Sequence, residues 1–239
     1  MPSDKLHANV EQPAAQDELR VLFIGNSQTY SNDLPAIVEA LAQANGKRFS
    51  YHMIAQGGVS LIEHWNGGEA RPTIARGGWD VVVLQQGPSS TPENRALLID
   101  YTRRFAKEIR AAGAEPALYM VWPETRRFGD FDRMSDSYRL AAEAVDGILL
   151  PAGEAWRAAW RHDPKAGFYS RDGLHPSTLG SYLTALVIYG RLYGELPPSL
   201  PKTLQIRSRR VSRIELRPGQ SELLLSAARE ANQAFGAQR

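Results

Sequence analysis

Five short apolar runs, at residues 19–24, 49–54, 81–84, 117–122 and 147–150, constrain this chain more than any other feature of its sequence. Each has the length of a strand. Between them lie segments whose apolar residues recur three and four positions apart, as Leu34, Ile37, Val38 and Leu41 do. Helices are expected at 34–44, 93–112, 133–145, 154–161, 177–193 and 221–235, with Gly113 closing the second in a left-handed cap. Residues 194–210 hold three prolines and read as loop. Strands alternating with helices predict βαβ units, and so an α/β fold with a parallel sheet covered on both faces.

In such sheets ligands collect at the carboxyl ends of the strands. The segments found there are Gly25-Asn26-Ser27, Gln56-Gly57-Gly58, Gln85-Gln86-Gly87, Trp122-Pro123-Glu124 and the loop around Asp172. All are small, polar or aromatic, as the floor of a polar site would be. Ser27 stands where an apolar strand stops abruptly, which suits a nucleophile held at the sheet edge as well as an ordinary turn.

A serine hydroxyl needs a base to become a useful nucleophile near neutral pH. The chain offers His7, His52, His64, His162 and His175. His7 falls in the amino-terminal leader, His52 in mid-strand as a structural residue, and His64 and His162 in polar helical surroundings where they are expected to be exposed. His175 follows Asp172 by three residues, with Gly173 between to allow a tight turn. That spacing can bring the carboxylate to one imidazole nitrogen, fixing its tautomer and stabilising the imidazolium. By itself, Asp-x-x-His also fits a capping loop with an incidental histidine.

Gly25-Asn26-Ser27 after the first strand, together with Asp172-Gly173-Leu174-His175-Pro176 near the end, resembles the SGNH or GDSL hydrolases, over residues 19–193. The resemblance implies a three-layer α/β sandwich with a flavodoxin-like, five-stranded parallel sheet, and the activity of a carboxylic ester hydrolase. It implies Ser27 as nucleophile, His175 as base and Asp172 as the group that orients it. It also implies an oxyanion hole from the backbone N–H groups of Ser27 and Gly58. Two departures stand out. Gly-Asn-Ser replaces the usual Gly-Asp-Ser, and the third block has Leu84-Gln85-Gln86-Gly87-Pro88 where the family carries Gly-x-Asn. A glutamine amide can donate the same bond from one methylene further out. Gln86 is the candidate, with Gln85 in reserve. Asn26, Tyr30, Gln85 and Trp122 are candidate substrate-binding residues, and Trp65 and Tyr169 are further aromatics able to line a site.

Composition narrows the rest. The 239 residues suit a single domain at 19–239 preceded by a flexible leader at 1–18. A formal charge of +2 gives no case for nucleic acid, and the four arginines of 207–213 read as a solvated face. The chain has no cysteine, which excludes thiol catalysis and cysteine–zinc sites and suits either redox compartment. No metal, cofactor or membrane span is expected. No phosphate-loop pattern follows the first strand. A small-molecule or carbohydrate ester is the expected substrate, with a sugar O-acetyl ester as one form of it. With no signal peptide visible, the expected location is cytoplasmic, and periplasmic or secreted if a signal has been removed. The competing class is a catalytically silent binding module of the same fold, motivated by the altered third block.

Overall fold

The computed structural model describes residues 18–236. His7 and residues 1–17 of the expected leader lie outside them. Five strands form one parallel sheet: β1 (Leu19–Gly25), β2 (Phe49–Ala55), β3 (Val81–Leu84), β4 (Glu115–Tyr119) and β5 (Ile148–Leu150). Their order is β2-β1-β3-β4-β5, the flavodoxin-like winding in which the direction of strand addition reverses between β1 and β3. Val21 to Ile24 and Val82 to Leu84 are almost wholly inaccessible. Continuous apolar runs are what central parallel strands covered on both faces require.

Nine helices accompany the sheet among the described residues: α1 (Ser27–Tyr30), α2 (Leu34–Ala44), α3 (Leu61–Asn66), α4 (Ala70–Ala75), α5 (Pro92–Ala111), α6 (Phe131–Glu143), α7 (Ala152–His162), α8 (Thr178–Tyr193) and α9 (Gln220–Phe235). One group gathers α2, α7 and α9 around α8, and the other gathers α3, α4 and α6 around α5. Helix α8 is buried from Gly180 through Gly190, which explains its nearly all-round apolar sequence. The closing helix α9 packs on α7 and α8. Gly113 follows α5 with φ of +82°, the left-handed cap that glycine adopts without strain.

Several elements differ from the sequence expectation. The fourth strand starts earlier and ends at Tyr119 rather than 122, because its partner β5 stops at Leu150. Beyond that point the Met120 carbonyl accepts from Gly153 N–H at the start of α7. Helix α3 provides the polar helical setting expected for His64, while the short helices α1 and α4 fall where no helix was expected. An antiparallel hairpin, β6 (Thr203–Gln205) with β7 (Arg213–Glu215), interrupts the expected loop and carries the basic run on its exposed turn.

Candidate active site

The carboxyl ends of β1 and β3 meet at the switch point, and there the chain builds a cleft of about 340 Å³. Ser27, Gly58, Gln86 and Leu174 are among its lining residues. Ser27 is the first residue of α1, and Asn26 caps that helix by accepting from Gln28 N–H at 3.1 Å. The Asn26 amide also donates to the Val59 carbonyl at 3.1 Å, tying the serine turn to the segment after β2.

Below the serine, Gln85 holds the turn in place. It is fully buried. Its Oε1 accepts from Asn26 N–H at 2.9 Å and from the Thr29 hydroxyl at 2.7 Å. Its Nε2 donates to Asn26 Oδ1 at 3.0 Å and to the Gln86 carbonyl at 2.6 Å. A side chain at Gly25 would collide with Thr29 and Gln85, so glycine is needed there for close approach rather than for its dihedral freedom. Gln85 was a candidate for substrate and, in reserve, for the oxyanion. It reaches neither, because both ends of its amide are spent inside the protein.

Gln86 turns the other way, as neighbours at a strand end do. Its Oε1 accepts from Leu61 N–H at 3.2 Å and its Nε2 donates to Ser89 Oγ at 2.8 Å. Ser89 Oγ in turn donates to the Gly87 carbonyl at 3.0 Å. That chain fixes the amide orientation and leaves one Nε2 hydrogen uncommitted. The backbone N–H groups of Ser27 and Gly58 have no partner among the described residues. Gly58 has φ of +76°, a left-handed conformation that L side chains rarely adopt.

The opposite side is the loop before α8. His175 Nδ1 lies 2.7 Å from Asp172 Oδ2. Asp172 Oδ1 accepts from Ser170 Oγ at 2.7 Å, Leu174 N–H at 2.9 Å and His175 N–H at 2.9 Å. The hydrogen bond from His175 is the largest influence on this carboxyl and holds it well below the usual carboxylate range, with the other donors helping. Asp172 is therefore ionised near neutral pH. Hydrogen bonds tie this loop to the turn that follows α1 and to the segment after β4. Asn32, with φ of +54°, donates to the carbonyl of Pro176 at 3.0 Å, and Trp122 Nε1 donates to that of Leu174 at 3.0 Å. No hydrogen bond joins the Ser27 hydroxyl to His175 among the described residues. Such bonds often tighten only around a substrate.

The aromatic candidates lie elsewhere. Trp122 is fully buried, with its ring centroid 3.6 Å from that of Trp156, and it supports the loop rather than reaching the cleft. Tyr30 is half-buried beside Gly57, with the Arg210 guanidinium 4.9 Å from its ring centroid. Tyr169 donates to the Pro123 carbonyl at 2.6 Å. Trp65 belongs to a separate cavity of about 620 Å³ between α3, α4 and α5, with Arg71 over its ring.

Two histidines depart from expectation. His52 is exposed on the edge strand β2 and stacks on Trp79, because β2 has a neighbour on one side only. His64 is buried instead of exposed, and its Nε2 donates to the Gly25 carbonyl at 2.7 Å, immediately before the serine turn. Burial lowers its pKa, so the neutral ring is favoured. In sequence, its place in a short polar helix hid this role.

No family model matches the chain, and no curated protein matches its sequence. Solved structures do. A protein from Slackia heliotrinireducens assigned as an SGNH hydrolase is 27% identical, covering 74% of this chain and 100% of its own, with a TM-score of 0.61. A DUF4886 family protein from Bacteroides uniformis is 20% identical over 91% of this chain and 95% of its own, with a TM-score of 0.71. An acetyl xylan esterase is 15% identical over 72% and 98%, with a TM-score of 0.58. The sheet order and the 27% identical structure together support the SGNH/GDSL hydrolase superfamily for this chain.

Proposed function

We propose that the protein is a serine esterase that works through an acyl-enzyme. The observation that carries this is the Asp172–His175 pair at 2.7 Å, on a loop bonded through Pro176 to Asn32 in the turn that follows α1. His175 Nδ1–H donates to the ionised Asp172, which leaves Nε2 as the basic nitrogen. Nε2 takes the Ser27 proton as the hydroxyl attacks the ester carbonyl, then returns it to the departing alcohol. Water repeats the cycle and releases the acid. The oxyanion is met by the N–H groups of Ser27 and Gly58 and by the uncommitted Nε2 hydrogen of Gln86.

The cleft favours a short acyl group. Its walls are largely serines, glycines and side-chain amides, with only Val59, Pro88 and Leu174 as apolar side chains to cover a long alkyl chain. Acetyl esters of sugars suit it, and an acetyl xylan esterase shares the fold. The test is labelling by a fluorophosphonate alongside hydrolysis of acetyl esters in EDTA. Wild-type protein should label and turn over, and Ser27→Ala should do neither while melting at a similar temperature. Near-wild-type turnover by Ser27→Ala would remove the assignment, and an unlabelled, inactive wild type would favour the silent binding module.

A further inference from the structure

One side chain in the cleft is not needed for that chemistry. Arg127 is the only ionised residue lining the cleft among the described residues. It sits in a 3-10 turn, Thr125–Asp130, that is fastened to the catalytic loop. Thr125 N–H donates to the Gly173 carbonyl at 2.8 Å, and Thr125 packs so closely on Gly173 that a side chain there would collide with it. The turn that carries Arg127 is thus anchored to the loop that carries Asp172 and His175.

Its guanidinium is held along one edge. Nε donates to Asp130 Oδ2 at 2.8 Å, and Nη2 reaches the same oxygen at 2.6 Å and Ser90 Oγ at 3.1 Å. Nη1 has no partner among the described residues. Asp130 does not neutralise the arginine, because it also pairs with Arg133 through Oδ1. Burial works to raise the Asp130 carboxyl, but hydrogen bonds from Ser90 and Arg127 outweigh it and hold the group below its ordinary range. Two cations therefore share one anion, and the cluster keeps one positive charge at the cleft wall. A guanidinium stays charged at any accessible pH and is less strongly hydrated than an ammonium, so it suits a carboxylate that approaches from solvent. Asn94 lines the same cleft and offers a neutral amide donor.

We propose that Arg127 selects esters bearing a carboxylate on the part of the molecule that fills the cleft, with Nη1 as the contacting group. The proposal rests on Ser27 marking the ester site. Two substrate types share this chemistry: half-esters of dicarboxylic acids, with the charge on the acyl side, and O-acetyl esters of hydroxy or uronic acids, with the charge on the alcohol side.

Binding to the Ser27→Ala protein tests this without relying on turnover. The acyl-side arm compares monomethyl succinate with dimethyl succinate, and the alcohol-side arm compares O-acetyl-lactate with its methyl ester. In at least one arm the charged ligand should bind about tenfold more tightly than its neutral partner, the size expected of a charge-assisted hydrogen bond. The preference should shrink as salt rises. It should disappear in Arg127→Gln and survive in part in Arg127→Lys. Should the glutamine variant not fold, the salt dependence and the lysine variant still decide. Equal binding of charged and neutral partners in both arms would overturn the proposal, as would a preference that persists in Arg127→Gln. Turnover of the neutral esters by the wild type reports separately on the esterase reading.

Discussion

The serine turn and the Asp172–His175 loop are held by opposite means. The turn is fixed from below by buried groups on other elements, Gln85 at the end of β3 and His64 on α3. The Asp172 carboxylate is fixed from within its own loop, since every hydrogen bond it accepts comes from residues 170–175. One half of the site thus depends on tertiary packing and the other on local geometry. Damage to the first should appear as lost stability, and damage to the second as lost rate.

The largest expected effect falls on the loop. Asp172→Asn keeps an oxygen for the two backbone N–H donors but can turn an N–H toward His175, favouring the wrong tautomer. The rate should fall by about 10⁴-fold, as it does when a triad aspartate is amidated, with the melting temperature little changed because Asp172 is exposed. A loss below about tenfold would mean that the loop does not orient the base.

The glutamine pair sharpens the comparison within three ångströms of backbone, roughly one strand residue. Gln85→Ala removes the acceptor of a buried N–H and a buried hydroxyl, and should cost about 2–4 kcal/mol of stability by denaturant titration. Gln86→Ala should instead lower kcat by about 10²-fold with KM nearly constant, the signature of a lost oxyanion donor. Equal, small effects from both would leave the oxyanion to Ser27 and Gly58 alone.

Acid should separate the two regions by a smaller margin. His64 has a folded-state pKa below its ordinary value, so its contribution is present above about pH 6.5. Protonation favours the unfolded chain, and that stability is lost as pH falls toward the lowered folded value. Asp172 is also depressed, and its contribution persists until pH falls below the ordinary carboxylate value of about 3.9. His64→Gln should flatten the melting temperature just below about pH 6.5, the upper part of the acid limb, and leave the carboxylate part unchanged.

The sequence displayed the parts of this molecule that rest on apolar runs. The bounds of β3 and α2, the alternation of strands and helices, and the strand-end placement of Ser27 were all legible. The Asp172–His175 spacing was legible for the same local reason, since three residues and a glycine suffice to close it. Features decided by distant partners were not. Nothing around Gln85 distinguishes a glutamine that locks the serine turn from one that meets substrate, because the difference lies in Asn26 and Thr29. His64 looked exposed because α3 is too short and polar to show which face is buried. Nothing in the sequence around Arg127 shows that its turn is fastened to Gly173.

The Asn32–Pro176 bond joins residues 144 positions apart. Contacts of that sequence separation close late in folding, since loop entropy must be overcome before they contribute. A refolding chain can therefore acquire its helices and its central strands before the serine turn and the histidine loop are in register. Recovery of turnover would lag the far-ultraviolet signal, and the interval between them would time the closing of this one long-range join.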